Sequence, residues 1–279
     1  MLETFKKLFT PVESFTPDEA RDFINRNQQG SYTLLDVRQP KEYEDGHIAG
    51  ARLAPLPLLA EHYSEIDRSK PVIVYCASGG RSRVAAQLLA GKDFGEVYNL
   101  TGGIKAWNGE VAVGPLEMNM DLITGDETPS EVVALAYTME KNLGKFYHLA
   151  RQRTANQSVA KLLGLLASVE EKHKDFLIDL FEKMEPEKDS RTTLDNLSLA
   201  TTMEGGFDTD AFLEQNEQFL QEESDILDLA MMLETQALDL YIRFGSKMEN
   251  VQSRNALNKI ADEEKEHLKA LGNLRNETT

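Results

Sequence analysis

Two stretches of the sequence carry a glutamate and a histidine three residues apart. The first pair is Glu170 with His173, and the second is Glu264 with His267, 94 residues further along the chain. On an α-helix, residues at i and i+3 lie on one face, so each pair can direct a carboxylate and an imidazole to the same point. Carboxylate-rich sites with imidazoles suit iron or manganese. The repeated pair therefore predicts a metal site.

Each pair is preceded by a glutamate and a tyrosine in the same register. Glu140 and Glu234 stand 30 residues before the two pairs, and Tyr147 and Tyr241 follow these glutamates by seven residues. A single Glu-x-x-His is common on solvated helix faces. Four positions that repeat with one offset indicate an internal repeat of functional residues instead.

The second pair has one alternative carboxylate. Glu263 lies four residues before His267 and could also face it on a helix. The register of the repeat selects Glu264, because the position that matches Glu263 in the first copy is occupied by Val169.

Apolar residues surround these polar positions at helical spacing, which predicts helices over residues 128–152, 156–184, 224–248 and 251–274. The carboxylates then face a bundle interior, where ionised groups without partners are prohibitively costly. A pair of cations removes that penalty. Residues 185–206 read as a long polar connection, followed by a short helix over 208–220. Tyr147 and Tyr241 either pack in the core or donate a hydrogen bond to a ligand carboxylate on a neighbouring helix.

The region from Pro129 to Leu274 resembles the rubrerythrin branch of the ferritin-like family, which implies a four-helix bundle that holds two iron ions, or manganese, and reduces peroxide or oxygen. Many rubrerythrins carry a further glutamate three residues after the third-helix glutamate, where this chain has Ala237. Many also carry a four-cysteine rubredoxin module, and this chain has one cysteine. The electrons must then come from an external donor such as a rubredoxin-like protein. The ligands implied by the resemblance are Glu140, Glu170, His173, Glu234, Glu264 and His267.

The only cysteine lies between a predicted strand and a predicted helix. Val72 to Tyr75 is an apolar, β-branched run, and Cys76 opens the segment Cys-Ala-Ser-Gly-Gly-Arg-Ser that leads into the helix. Open α/β sheets place ligands at such joins. Inward backbone N–H groups, the helix N-terminus and the charge of Arg81 favour a nucleophilic thiolate. The alternative is a buried cysteine that only fills the core.

Residues 15–109 resemble the single-domain rhodanese family. The motifs are Leu-Asp-Val-Arg at 35–38, Glu-Tyr at 42–43, Gly-His-Ile-Ala-Gly-Ala at 46–51, the cysteine loop, and Gly-Gly before Trp107. Four residues separate Cys76 from Arg81, whereas the related phosphatase loop has five. The resemblance implies that Cys76 carries a sulfane sulfur as a persulfide, with Arg81 in the catalytic loop. The loop residues expected to bind the substrate sulfur are Ala77, Ser78, Gly79, Gly80 and Arg81.

Composition narrows the classes of function. The 279 residues suggest two domains, and the formal net charge of −17 argues against nucleic acid and anionic membranes as partners. The sequence has no apolar run of 18 residues and no signal-peptide core at its start, so we expect a cytoplasmic protein. A single cysteine fits a reducing compartment.

We therefore expect a multidomain chain: an α/β rhodanese-like parallel sheet over residues 1–110, a linker over 111–127, and an all-α ferritin-like four-helix bundle over 128–279.

The expected function is a sulfurtransferase that uses thiosulfate-like donors and a thiol or cyanide acceptor, fused to a di-iron oxidoreductase, in a homodimer. One alternative is a sulfurtransferase whose bundle stores or senses iron. The other is a persulfide-binding module whose bundle serves only for oligomerisation. The fusion itself suggests that sulfur chemistry and oxidant removal are coupled.

Overall fold

A computed structural model describes residues 12–196 and 202–278 of the chain. Contacts divide the chain into two compact units, Met1–Met118 and Asn119–Thr279. Within the described ranges, no helix is both long and apolar enough to cross a bilayer.

The first unit is built on a five-stranded sheet. Its strands are β1 (Glu13–Phe15), β2 (Thr33–Asp36), β3 (Arg52–Leu53), β4 (Val72–Tyr75) and β5 (Val97–Leu100). The strand order is β1-β5-β4-β2-β3, and every pairing is parallel. The predicted parallel α/β sheet is thus confirmed, and β4 has the predicted bounds. The edge strand β1 was not predicted.

Helices connect the strands: α1 (Pro17–Arg26), α2 (Pro40–Glu44), α3 (Leu56–His62) and α4 (Gly80–Ala90). The central strand β4 is fully buried, and its side chains alternate between two cores. Val72 and Val74 lie in one core with α4, whereas Ile73 and Tyr75 lie in the other. A central strand of a parallel sheet is covered on both faces, which explains its continuous apolar sequence.

The predicted linker over residues 111–127 is divided between the two units. Ala112 forms an antiparallel bridge with His47 in the first unit. In the second unit, Lys247 Nζ donates to the carbonyls of Met120 (2.8 Å) and Ile123 (2.5 Å). The boundary between the units falls at residues 118 and 119, inside the predicted linker, because backbone groups on both sides of it are hydrogen-bonded within their own unit.

The second unit contains four long helices: α5 (Pro129–Arg153), α6 (Gln157–Met184), α9 (Glu223–Lys247) and α10 (Val251–Thr278). The helices pack in two pairs, α5 with α6 and α9 with α10, and α10 also contacts α5. Thr128 starts α5 with a capping box that includes Glu131. The buried core contains Leu143, Phe146, Leu163 and Leu233. A mainly helical second unit is therefore confirmed.

The connection between the two helix pairs is more structured than the sequence predicted. It contains α7 (Ser190–Asn196), a turn at Glu204–Gly206 and α8 (Thr209–Asn216). The carboxylate of Asp189 accepts from the N–H of Thr192, and Leu194 is fully buried, so local capping and burial both stabilise α7. Residues 185–196 and 202–206 are therefore not a plain polar crossover, and residues 197–201 of the predicted connection lie outside the described residues.

Candidate functional sites

Cys76 follows β4 and begins the loop that leads to α4. Cys76 is 1% exposed and packs in the same core as Val74 and Ala85. The N–H of Gly79 donates to Cys76 Sγ at 3.2 Å. The Ser82 hydroxyl lies 3.5 Å from Sγ and 2.7 Å from Asn99 Oδ1. The loop therefore directs polar hydrogens at a buried sulfur.

The backbone of the cysteine loop is held by the short 3₁₀ helix Gly103–Ala106. The N–H groups of Ile104 and Lys105 donate to the carbonyls of Cys76 (2.8 Å) and Ala77 (3.1 Å). Gly103 has φ +60°, and a Cβ added there would lie 2.2 Å from the Cys76 carbonyl oxygen. Only glycine allows this approach without displacing the loop.

The surroundings of Cys76 lower the pKa of its thiol. Burial alone would raise this pKa. Hydrogen bonds from the hydroxyl and N–H of Ser82 and from the N–H groups of Ser78 and Gly79 outweigh it, so the net shift is downwards. The thiolate is therefore favoured, as the sequence predicted, but partly through Ser82, which was not predicted.

Arg81 does not present an unshared charge to the sulfur. Its guanidinium donates to both carboxylate oxygens of Glu42, at 2.7 and 2.6 Å. This ion pair, with the N–H of Gln39 on Glu42, lowers the pKa of Glu42 to about 2. The expected full positive charge beside Cys76 is thus shared with a carboxylate 39 residues earlier in the chain. The residues around Glu42 indicate only its place in the capping box of α2, and they do not predict its contact with Arg81.

Three further residues of the rhodanese-type motifs lie next to each other. Asp36 and Arg38 form a buried ion pair, and Arg38 also donates to the Gly46 carbonyl at 2.6 Å. The ring of His47 stacks on Tyr43 at 3.6 Å. These contacts hold loops together, in agreement with a positioning role.

The Glu-x-x-His residues of the second unit meet in the interior of the bundle. Glu140, Glu170 and His173 can each place one ligand atom within 4.8 Å of the others. His173 Nδ1 lies 2.8 Å from Glu170 Oε2 and 3.3 Å from Glu140 Oε2. Because Glu140 is on α5 and the other two are on α6, this half of the cluster joins the first helix pair.

The second copy of the repeat forms the same arrangement on α9 and α10. Glu234, Glu264 and His267 also bring one ligand atom each within 4.8 Å. His267 Nδ1 lies 3.0 Å from Glu264 Oε2 and 3.5 Å from Glu234 Oε2. Glu263, the alternative carboxylate, is half-buried and lines a neighbouring cavity.

His173 and His267 connect the two copies of the repeat inside the bundle. Their rings stack with centroids 3.4 Å apart and planes 5° from parallel. Burial, with a smaller contribution from the neighbouring His267, lowers the pKa of His173 to about 3. The imidazole of His173 is therefore neutral near pH 7, which is the form that binds metals.

Burial would raise the pKa of Glu234, but interactions with His267 and Glu264 outweigh burial and lower this pKa, so the electrostatic penalty falls on the other three carboxylates of the repeat. Burial, and then the charges of neighbouring glutamates, raise the pKa values of Glu140, Glu170 and Glu264 well above their ordinary value. Glu234 Oε2 and Glu264 Oε1 are buried and accept no hydrogen bond within residues 12–196 and 202–278. Such oxygens fit cation ligands, so the residues present are compatible with a metal pair.

A further carboxylate reaches this cluster from the connection between the helix pairs. Glu204 is fully buried, and it joins Glu140 and Glu264 as a third group with ligand atoms within 4.8 Å. The sequence reading missed it because position 204 lies outside both copies of the repeat. Its only local signal is a glutamate between Met203 and a Gly-Gly pair.

The two predicted tyrosines are both buried, and they differ in their contacts. The Tyr241 hydroxyl donates to Glu204 Oε1 at 3.0 Å, and not to one of the four predicted glutamates. The Tyr147 hydroxyl has no hydrogen-bond partner among the described residues. Buried carboxylates nevertheless contribute to a raised pKa for Tyr147, after burial itself. Each hydroxyl therefore remains protonated near neutral pH.

A cavity of about 130 Å³ lies beside the two histidines. Its walls include both histidines, Glu140 and Glu264, together with Lys172, Phe176, Leu177, Ile260 and Glu263. The cluster thus has a space next to it that is large enough for a small oxidant.

Two family models match separate parts of the chain. The family model of the rhodanese-like domain matches residues 16–110, and the rubrerythrin model matches residues 131–208. YqhL of Bacillus subtilis is 49% identical over 100 residues, which cover 36% of this chain and 75% of that protein. The protein named thiosulfate sulfurtransferase GlpE of Coxiella burnetii is 42% identical over 74 residues, which cover 26% of this chain and 69% of that protein.

Solved structures of rhodanese-like proteins are also similar to part of the chain. A rhodanese-like domain protein of Staphylococcus aureus is 24% identical, with a TM-score of 0.34 over 37% of this chain and 98% of that one. A rhodanese-related protein of Thermoplasma volcanium is 31% identical, with a TM-score of 0.33 over 36% of this chain and 98% of that one.

The fold of the first unit, its cysteine loop and its sequence relatives define a rhodanese-like protein. The chain belongs to the rhodanese-like family through residues 16–110 and carries a rubrerythrin domain after them. The rubrerythrin match takes in α5, α6 and the connection up to residue 208, whereas α9 and α10 lie beyond it.

Proposed function

We propose that the first unit is a sulfurtransferase and that Cys76 is its sulfur carrier. The observation that carries this proposal is the contact between Cys76 Sγ and the N–H of Gly79, in a loop whose hydrogen bonds lower the pKa of the thiol. The name of the relative GlpE, a thiosulfate sulfurtransferase, supports the same reaction.

The proposed reaction has two displacement steps at sulfur. The Cys76 thiolate attacks the outer sulfur of thiosulfate, the sulfur–sulfur bond of the donor breaks, and sulfite leaves with the electron pair. A nucleophile such as cyanide or a thiolate then attacks the outer sulfur of the persulfide, and the Cys76 thiolate leaves. The N–H groups of residues 77–81 would hold the outer sulfur, since amide dipoles at such a loop stabilise an anion.

The test of this proposal is the variant Cys76→Ser, assayed for thiosulfate:cyanide sulfur transfer. Serine has nearly the size of cysteine and keeps a polar hydrogen. Its hydroxyl cannot replace the nucleophilic thiolate, so sulfur transfer should fall to the uncatalysed background. The melting temperature of the first unit should match that of the wild type, which serves as the control for folding, and the metal content of the second unit should not change. Transfer at the wild-type rate would show that Cys76 is not the carrier.

We further propose that the second unit binds two iron or manganese ions. The six residues that would hold them are Glu140, Glu170, His173, Glu234, Glu264 and His267. The observation that carries this proposal is the set of buried carboxylate oxygens without hydrogen bonds at Glu234 and Glu264. The rubrerythrin family implies iron binding, which supports the same assignment.

Bound iron would supply one-electron redox chemistry for the reduction of peroxide or oxygen. The chain's own contribution is to exclude water and to keep the imidazole of His173 neutral, because burial lowers its pKa. The protonated hydroxyl of Tyr147, which has no partner among the described residues, could hold a proton beside the cluster. The electrons would come from a separate donor protein of the rubredoxin type.

Peroxide consumption by the iron-loaded, reduced protein tests this second activity. The wild type should consume peroxide and oxidise its iron, and the double variant Glu170→Ala/Glu264→Ala should do neither. If the wild type binds iron but turns over no peroxide or oxygen, the bundle stores or senses iron instead. If it binds no metal, the bundle serves for assembly.

A further inference from the structure

We propose that Glu204 is a seventh ligand of the metal pair, supplied by the connection between the helix pairs and oriented by Tyr241. This inference rests on the proposed metal centre and adds a residue that lies outside the repeat. Its basis is the position of one carboxylate oxygen in the interior of the bundle.

The two oxygens of Glu204 have different surroundings. Oε1 accepts the hydrogen bond of the Tyr241 hydroxyl at 3.0 Å. Oε2 is buried and has no hydrogen-bond partner within the described residues. The residue as a whole is 0% exposed, so bulk solvent does not reach this oxygen. A buried carboxylate with one oriented and one unsatisfied oxygen is suited to bind a cation through the second.

Glu204 also lies between the two halves of the cluster. Its ligand atom is within 4.8 Å of those of Glu140 on α5 and Glu264 on α10. It therefore approaches one glutamate from each copy of the repeat. No other residue of the connection joins these groups in the described part of the chain.

The backbone of the connection is shaped to present this side chain. Residues 202 and 208 form an antiparallel bridge that closes a tight turn, and the N–H of Met203 donates to the Phe207 carbonyl at 2.8 Å. Gly205 has φ +71°, and a Cβ there would lie 2.9 Å from Cβ of Gln236 on α9. The turn thus packs directly on α9 and points Glu204 into the bundle.

Other side chains hold the same turn. Asn142 Nδ2 donates to the Thr202 carbonyl at 2.9 Å, and Asn119 Nδ2 donates to the Gly205 carbonyl at 3.1 Å. Contacts from α5 and from the segment before it therefore fix both sides of Glu204. A position held by so many hydrogen bonds loses little entropy when it binds an ion.

A fifth carboxylate changes the charge balance of the centre. The four glutamates of the repeat balance the charge of two divalent ions when both histidines are neutral. An ionised Glu204 bound to the cations would add one negative charge, which would favour the more highly charged, oxidised pair. Its effect should therefore appear in the reduction potential as well as in affinity.

The experiment compares Glu204→Gln with the wild type by titration with Co²⁺, followed by visible absorption and by competition with a chelator. Glutamine keeps the shape and can keep a hydrogen bond to Tyr241, but it removes the charge. We expect at least about tenfold weaker binding of one ion and a changed Co²⁺ spectrum. With iron, the midpoint potential should be more positive. Glu214→Gln, an exposed glutamate on α8, is the matched control and should match the wild type.

The variant Tyr241→Phe provides a second test that keeps the carboxylate. It removes the hydrogen bond to Oε1, so Co²⁺ binding should weaken in the same direction and by a smaller factor. Unchanged Co²⁺ affinity and spectrum in Glu204→Gln would overturn the role of Glu204 while leaving the six-residue centre intact. A wild type that binds neither Co²⁺ nor Fe²⁺ would overturn both proposals.

Discussion

At the scale of single residues, both candidate sites depend on partners outside the motifs that carry the reactive groups. Ser82 of the cysteine loop contacts Asn99 on β5, and Arg81 of the same loop pairs with Glu42. In the bundle, the partner of Tyr241 is Glu204. The functional groups themselves have conspicuous types and spacing, whereas their partners have none.

The role of Ser82 gives a prediction about the ionisation of Cys76. In Ser82→Ala the hydroxyl hydrogen bond, the largest contribution that lowers the pKa, is lost. The pKa of the thiol should therefore rise, and the thiolate should form at higher pH than in the wild type. Alkylation by iodoacetamide as a function of pH measures this directly, because Cys76 is the only cysteine.

The alkylation profile of the wild type should have its midpoint below that of an ordinary thiol, for which the pKa is about 8.5. Ser69→Ala is a suitable control, since its hydroxyl contacts Asp67. A Ser82→Ala profile that coincides with the wild type, or moves to lower pH, would contradict the assigned role of Ser82.

At the scale of elements, short turns place the reactive groups on long, regular scaffolds. The 3₁₀ helix at Gly103–Ala106 holds the cysteine loop by backbone hydrogen bonds. The Glu204–Gly206 turn places a carboxylate between helices. Both turns require a positive φ at glycine, at Gly103 and Gly205 respectively. The helices and strands alone would leave these groups unplaced.

Gly103→Ala should disrupt the cysteine loop without affecting the bundle. The added Cβ would lie 2.2 Å from the Cys76 carbonyl oxygen, and the positive φ adds strain of about 1–3 kcal/mol. We expect a large loss of thiosulfate:cyanide transfer and a lower melting temperature for the first unit. Metal content should stay the same.

Gly95→Ala is the matched control for this substitution. Gly95 is exposed, and a Cβ there meets nothing within 4 Å. It should therefore retain both transfer and stability. Wild-type transfer by Gly103→Ala would show that the close approach to Cys76 does not position the loop.

The elements show what the sequence could and could not predict. The four long helices follow from apolar periodicity and capping, and the repeat selects six residues that meet inside the bundle. The strand β4 and its cysteine loop follow from a local pattern. Glu204 could not be predicted in this way, because its position depends on the turn at Gly205 and on side-chain contacts from Asn119 and Asn142. The Glu42–Arg81 pair depends on tertiary contact in the same manner.

At the scale of the whole molecule, each unit has its own core. Two apolar clusters flank the sheet of the first unit, and another cluster of buried apolar residues lies among the helices of the second unit. Cys76→Ser should therefore keep its metal, and Glu170→Ala/Glu264→Ala should keep its sulfur transfer. Loss of both activities in either variant would show that the units do not fold independently.

The expected homodimer stays a prediction, which sedimentation of the metal-loaded chain would test.

The fusion suggests that the two chemistries are coupled, and this hypothesis has its own test. Thiosulfate should change the rate of peroxide consumption by the wild type, because it loads Cys76 with sulfur. The same addition should have no effect on Cys76→Ser. Equal responses of the two proteins would contradict the coupling and leave two separate activities on one chain.

The most direct test of the account is the metal content per chain, measured by elemental analysis of protein purified without oxygen and without chelators. We predict two iron or manganese ions per chain in the wild type. Glu170→Ala/Glu264→Ala should contain none, should keep the helical circular dichroism of the wild type as evidence of a folded bundle, and should retain thiosulfate:cyanide transfer. A wild type that contains no metal, even after reconstitution with ferrous iron, would contradict the proposed centre and leave a sulfurtransferase joined to a structural bundle.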